Sequence, residues 1–223
     1  MRIIHSVGIE GARRARGTVV VIDVLRSFTV SAYALAGGAR ECRLVTTVEA
    51  ARALAAKTPG AVLCAEVDTL PVEGIAISNS PTQIREAELN DRVLIQRSSA
   101  GTQVAASVVS DDIFAGSLVV ARATVQICLL RKPEVLTLVA SGDFPEDHVC
   151  AVYMEAIALG GEPPDIVRLL QPLKESERYR KFKAGGQPGF PPTDLDLALQ
   201  ADRFDFAMPL RREAGYLRLT ASF

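Results

Sequence analysis

Two turns and four carboxylates in this sequence have the residue types and spacing for anion chemistry. The apolar run Thr18-Val-Val-Val-Ile22 leads into Asp23-Val-Leu-Arg26-Ser27-Phe-Thr29, which brings a carboxylate, a guanidinium and two hydroxyls into one turn. Ser98-Ser99-Ala100-Gly101-Thr102 is a tight polar turn ahead of a helix. Its N–H groups and hydroxyls can surround phosphate or a carboxylate, with Gly101 permitting close approach; the same residues would equally serve as a helix cap. Asp23, Glu66, Glu146 and Asp147 each follow a predicted strand, so a parallel sheet gathers them at one edge. Such oxygen ligands suit Mg²⁺, which takes one or two carboxylates together with waters and a substrate phosphate. Structural alternatives stand beside each reading. Asp23 and Arg26 can form an ion pair, and Glu146 and Asp147 in a first helical turn complement the helix dipole without a ligand. His148 is either a proton-transfer aid or a surface histidine.

The elements that must position these groups alternate between strand and helix, which predicts an α/β domain with a largely parallel sheet. Thr18–Ile22 reads as a buried strand and Ser31–Ala36 as a helix stopped by Gly37-Gly38. Strand signals recur at Glu41–Val45, Ala61–Ala65, Arg92–Gln96, Ile113–Val119 and Glu134–Ala140. Helix signals lie between them, at 46–57 with a Thr46-x-x-Glu49 capping box, at Ser80-Pro81-Thr82-Gln83, at Gln103–Val109 and at Ala121–Arg131. Another helix opens at Asp143, with Val149, Val152, Tyr153, Ala156 and Ile157 on its buried face, and closes at Gly160-Gly161. The stretch from Glu66 to Asn79 reads as an irregular loop. Within residues 174–192, Lys174–Lys183 is charged and helix-compatible and Ala184–Pro192 is rich in Gly and Pro, which predicts an exposed loop or lid. Leu195–Gln200 is a short helix signal, and Phe204–Pro209 and Tyr216–Thr220 are strand signals. The chain as a whole, 1–223, is expected to form a single domain with room for two lobes.

Composition narrows the partners. A net charge of -1 gives no electrostatic case for nucleic acid or a membrane surface. No apolar run approaches bilayer length, and Met1-Arg-Ile-Ile-His-Ser enters a strand-like segment rather than a signal peptide, which predicts a cytoplasmic location. Cys42, Cys64, Cys128 and Cys150 are widely spaced, which predicts reduced thiols rather than a zinc site or disulfide scaffold. Familiar phosphate-handling signatures are missing. Leu25 breaks any Asp-x-Asp pair, and the chain has no Walker A loop, Gly-x-Gly-x-x-Gly fingerprint, Cys-x5-Arg loop or Arg-His-Gly motif.

Taken together, Asp23-Val-Leu-Arg26-Ser27, Asn79-Ser80-Pro81, Ser98-Ser99-Ala100-Gly101-Thr102, Gly116-Ser117 and Ser141-Gly142…Glu146-Asp147 resemble the 2-phosphosulfolactate phosphatase (ComB-like) family. The resemblance extends to Asp205-Phe-Ala-Met-Pro209. It implies a layered ComB-like α/β fold with a parallel or mixed sheet flanked by helices. It also implies Mg²⁺-dependent hydrolysis of 2-phosphosulfolactate, or a related small phosphorylated acid, to sulfolactate and phosphate on the route to coenzyme M. On matching positions it implies catalytic roles for Asp23, Arg26 and Glu66. Ser27, Asn79, Ser80, Ser98, Ser99, Gly101 and Thr102 fall at substrate-binding positions, and Asp23, Glu66, Glu146 and Asp147 at metal positions. A homo-oligomer is compatible with the resemblance. Three positions depart from the family pattern: Val67 stands where an Arg is expected, Ser98-Ser99-Ala100 replaces Thr-Thr-Asn, and Val120 replaces an Asn. The expected mechanism is attack on phosphorus by a metal-bound water with an acid such as Asp23 as base, direct attack by Asp23 being the competing route. A non-catalytic anion-binding relative and an oligomeric scaffold are the other classes the sequence allows.

Overall fold

The computed structural model describes residues 1–223. Its strands are β1 (Arg2–Val7), β2 (Thr18–Ile22), β3 (Glu41–Val45), β4 (Val62–Val67), β5 (Leu70–Pro71), β6 (Val93–Arg97), β7 (Ile113–Gly116), β8 (Val135–Ala140), β9 (Met208–Glu213) and β10 (Tyr216–Leu219). Its helices are α1 (Gly8–Arg14), α2 (Ser27–Ala36), α3 (Val48–Ala56), α4 (Pro81–Glu86), α5 (Gly101–Ser107), α6 (Ala121–Leu130) and α7 (Pro145–Ala158), followed by the short α8 (Ile166–Leu169), α9 (Gln171–Lys174), α10 (Glu177–Lys183) and α11 (Thr193–Ala198). A mixed, largely parallel α/β sheet flanked by helices results.

The continuous apolar run of β2 is buried at every residue, as a strand covered on both faces must be. Its side chains alternate between two cores. Val19 and Val21 join one cluster with Phe28 and Leu94, while Val20 and Ile22 join a second with Phe114 and Met154. The strand order is β1-β8-β2-β7-β9-β10-β3-β6-β4-β5. On one side β1, β8, β2 and β7 are parallel, and on the other β3, β6 and β4 are parallel. The β9–β10 hairpin lies between these halves and pairs antiparallel with each. Three antiparallel steps reverse the strand direction from one half to the other. Strand twist of about 20–25° per neighbour, accumulated between β2 and β6, turns the halves across each other so that their carboxyl ends can meet. Gln96 marks the meeting: it lies in β6, and its Nε2 donates to the carbonyl of Ser27, the first residue of the helix after β2, at 2.8 Å.

Several boundaries differ from the sequence expectation. Helix α2 begins at Ser27 rather than Ser31, so Ser27, Thr29 and Ser31 are buried helical residues. Their hydroxyls are used locally: Thr29 donates to the Val24 carbonyl at 2.7 Å and Ser31 to Gln96 Oε1 at 2.6 Å. Strand β7 stops at Gly116, and Leu118–Val120 form a 3-10 turn. Glu66 lies inside β4 rather than after it, and β5 folds back on β4 through the register Glu66–Pro71, so this part of the expected loop is a small hairpin. Helix α5 starts two residues earlier than expected, at Gly101. The cap of α3 is Thr47, whose side chain accepts from Ala50 N, instead of Thr46. Ser80 caps α4 as expected, while Gln83 reaches back to the amide of Ser78. Strand β9 begins at Met208, later than the Phe204 signal. Helix α1 and the succession α8–α9 had no clear signal. All four cysteines are buried and free. No helix is long and apolar enough to cross a membrane.

Candidate active site

Where the two halves meet, a cavity of about 350 Å³ opens. Of the sequence-derived candidates, Asp23, Arg26, Glu66, Asn79, Ser98 and Ser99 line it. Ser27, Ser80, Gly101, Thr102, Glu146 and Asp147 do not line it.

Asp23 ends β2 and is 4% exposed. Its Oδ1 accepts from the Ser27 amide at 2.9 Å, which fixes the carboxylate at the mouth of α2. Its Oδ2 lies so close to Gly101 that a Cβ there would stand 2.6 Å away, and 2.9 Å from Ser27 Cβ, which gives a clear reason for glycine at that position. Burial pushes the Asp23 carboxyl up to about 6, helped by the negative charges of Glu66 and Glu146 and opposed by the amides of Ser27 and Gly101. Asp147 is also pushed well above the ordinary carboxylate range, by burial first and then by Asp23. It spans two strand ends, accepting from Val24 N at 2.8 Å through Oδ1 and from the amide and hydroxyl of Ser141 through Oδ2.

Glu66 holds the opposite wall. Its Oε1 accepts from Ser99 N at 2.5 Å, and its Oε2 accepts from Thr69 N at 2.6 Å and Ser99 Oγ at 3.3 Å. The Ser98–Thr102 turn is satisfied largely from within. Ser98 N donates to Thr102 Oγ1 and Thr102 N to Ser98 Oγ, both at 3.0 Å, and Thr102 Oγ1 donates to the Ser98 carbonyl. With Ser99 N on Glu66, the turn offers a ligand fewer free amides than its composition suggests; that of Ala100 remains. Asn79, at φ 58°, has its Oδ1 held by Gln96 Nε2 at 2.9 Å, which orients the side-chain NH₂ as a donor on the cavity wall.

A match to the family model described as 2-phosphosulpholactate phosphatase spans residues 6–211. The chain belongs to the 2-phosphosulpholactate phosphatase family. Membership places it among the phosphoric monoester hydrolases. A probable 2-phosphosulfolactate phosphatase of Bacillus subtilis is 31% identical over 200 residues, covering 87% of this chain and 87% of its own length. Similar proteins of the same name come from Thermotoga maritima, 33% identical over 56% of this chain and 53% of its own, and Carboxydothermus hydrogenoformans, 34% identical over 56% and 52%.

Within this candidate site of a 2-phosphosulpholactate phosphatase family member, the departures from the expected pattern fall differently. Val67 is 39% exposed and does not line the cavity, Val120 is fully buried in the core, and Ala100 does line the cavity. Arg26 is 2% exposed; its Nη1 donates to Asp194 Oδ2 at 2.9 Å and to the Gly189 carbonyl at 2.5 Å. Asp194 in turn accepts from Ser80 Oγ at 2.7 Å and Thr82 N at 3.0 Å, so Ser80 belongs to the support of Arg26. Glu146 is fully buried, with Oε1 accepting from Arg178 Nη2 at 3.1 Å and Oε2 without a partner. His148 pairs instead with the exposed Asp143.

Sequence reasoning missed Gln96, Arg178, Asp194, Phe144, Phe182 and Phe190. The region 174–192, expected as an exposed loop or lid, supplies three of these. Phe182 and Phe190 are buried at 6% and 3% and stack on each other with centroids 4.2 Å apart, while Arg178 closes the wall beside them.

Proposed function

We propose that the cavity binds 2-phosphosulfolactate and hydrolyses its phosphate ester to sulfolactate and phosphate, with Mg²⁺ as cofactor. The observation that carries this reading is the convergence of Asp23 from one half of the sheet and the Ser98–Ala100 turn from the other on one cavity. Asp23, fixed through Oδ1 by the Ser27 amide with Oδ2 claimed by no side chain, is placed to take a proton from water. Water attacks phosphorus, the bond from phosphorus to the ester oxygen breaks, and the proton accepted by Asp23 is available to the departing alkoxide. Arg26, held rigidly by Asp194, lies beside Asp23 for the phosphoryl oxygens, and Asn79 and the Ala100 amide supply neutral donors.

The donor set supports a magnesium ion in a restricted way. Glu66 and Asp147 have both oxygens committed to hydrogen bonds, chiefly from backbone amides, whereas Glu146 Oε2 is unpartnered and no side chain claims Asp23 Oδ2. The metal expectation therefore narrows from Asp23, Glu66, Glu146 and Asp147 to Asp23 and Glu146. Mg²⁺ commonly binds one or two carboxylates and completes its shell with waters and substrate phosphate. When bound, such an ion would neutralise phosphoryl charge as the ester bond breaks. Glu66 and Asp147 are assigned to positioning: the first fixes the Ser99 turn, the second ties the ends of β2 and β8.

Phosphate release from a panel of small phosphate esters, with and without Mg²⁺, tests the reading. Metal-dependent release that prefers 2-phosphosulfolactate and disappears in Asp23→Asn is expected. No release from any ester by folded, magnesium-supplied protein would overturn it, and trapping of a phosphoryl group on Asp23 would replace water with Asp23 as nucleophile.

A further inference from the structure

The wall built by α10 and the segment after it has an order that the hydrolysis of a simple phosphate ester does not require. The Arg26 guanidinium lies 4.1 Å over the Phe190 ring, Phe190 stacks on Phe182 at 4.2 Å, and the Arg178 guanidinium lies 5.1 Å from Phe182 and 4.5 Å from Phe144. Two cations are thus held apart by a stacked aromatic pair, both facing one cavity. They are fixed very differently. Arg26 has two partners on Nη1 and is 2% exposed, whereas Arg178 has one bond, from Nη2 to Glu146, and is 32% exposed. The Arg178 Nε is buried without a partner. A buried guanidinium N–H without an acceptor is costly, and an anionic oxygen is its natural complement.

We propose that Arg178, with Phe144 and Phe182, forms the subsite for the substrate's sulfonate, and so determines specificity for sulfonated phosphate esters. This rests on the phosphatase reading above. Arg26, three residues from Asp23, belongs to the phosphoryl end of the cavity. A ligand with a phosphate, and a sulfonate one carbon beyond the phosphorylated carbon, would set one anionic group toward each of the two cations that line the cavity. A sulfonate spreads its charge over three oxygens, and guanidinium against aromatic faces is weakly hydrated, so the pair loses little solvation on contact. Arg178 also carries the charge that balances buried Glu146, so its replacement affects any substrate to some degree. The ratio between substrates isolates the subsite.

The experiment compares kcat/KM for 2-phosphosulfolactate and 2-phospholactate, which has hydrogen in place of the sulfonate, in wild type, Arg178→Gln and Arg178→Lys. Calorimetric titrations of the same proteins with sulfolactate and lactate accompany it, and circular dichroism confirms folding. Arg178→Gln is expected to lower the sulfonate-to-hydrogen ratio by about 10- to 100-fold, with Arg178→Lys intermediate because it keeps the charge and loses the fork. An unchanged ratio, with both esters still cleaved, overturns the subsite and leaves the phosphatase reading intact. If folded protein cleaves neither ester, that reading fails and the titrations decide the subsite: sulfolactate weakened about tenfold relative to lactate in Arg178→Gln upholds it, and no selective loss or no sulfolactate binding overturns it. Should Arg178→Gln not fold, Arg178→Lys carries the same comparisons, and an unchanged ratio there overturns the proposal.

Discussion

The turns that close β2 and β6 are built from similar materials, a buried strand, an Arg-Ser pair and a helix, yet they treat charge in opposite ways. After β2, Asp23 is gripped at one oxygen and left with the other against Gly101, in surroundings that hold its carboxyl near 6. Arg26 is sent across the molecule to Asp194, 168 residues further along the chain. After β6, Ser98 and Thr102 cap each other, and Ser99 is taken by Glu66. The first turn presents groups that are incompletely satisfied, and the second is a closed frame against which they are presented. A reactive carboxylate needs such a frame, because a buried charge stays where it is useful only if its neighbours cannot rearrange to neutralise it.

The sharpest way to break this contrast is Asp23→Asn. Phosphate release is expected to fall by about 1,000-fold or more, in line with the loss of a base that also contacts the reacting group. Stability should move the other way. Because the folded carboxyl is raised from 3.8 to about 6, the folded state retains a proton that the unfolded chain has lost, so Asp23 destabilises the protein progressively across that interval and fully above it. Asn removes the penalty, so the variant should melt higher at pH 8 by an amount equivalent to roughly 3 kcal/mol at most, with the gain vanishing below the unfolded carboxyl's pH range. A variant that is inactive and also less stable at pH 8 would show Asp23 to be a structural ion-pair residue.

Arg26→Gln tests the other half of the first turn. It leaves Asp194 as a fully buried carboxylate without its cation, a loss expected to cost about 3–5 kcal/mol in urea unfolding. Less than about 1 kcal/mol would mean that Ser80 and Thr82 alone satisfy Asp194. Gly101→Ala then strikes where the turns touch. A methyl group 2.6 Å from Asp23 Oδ2 and 2.9 Å from Ser27 Cβ must displace one of them. A fall in kcat of about 100-fold, with about 1–3 kcal/mol of stability, is expected from a shift of this size. Full activity would show that the Asp23 position is tolerant.

Much of the first turn was legible because its cause is local: Thr18–Ile22 can only be a doubly covered strand, and the residues just after such a strand lie at its carboxyl edge. The second turn was legible as a turn but not as a frame, since the partners of Ser99 and Asp23 come from Glu66 and Gly101 on other elements. The central place of β9–β10 was not readable, because two strand signals at the chain's end carry no mark of which neighbours they join or of the reversal they impose. Arg178, Phe182 and Phe190 sit in a charged and Gly-Pro-rich stretch whose local pattern predicts exposure. They are buried by contacts with Arg26, Phe144 and Glu146, which the local pattern does not encode.

The gentlest change, Thr102→Val, decides whether the second turn is a frame alone. Valine keeps the volume and removes the hydroxyl that accepts from Ser98 N and donates to the Ser98 carbonyl. Those bonds and the unsatisfied buried amide are worth about 1–2 kcal/mol, which should appear in thermal unfolding. The KM for the phosphate ester should change by no more than about threefold, since a hydroxyl spent on its own turn has no direct part in binding. If instead KM rose tenfold while the melting temperature held, Thr102 would be a ligand for the phosphate, and the two turns would differ in sequence only, both presenting groups to the substrate.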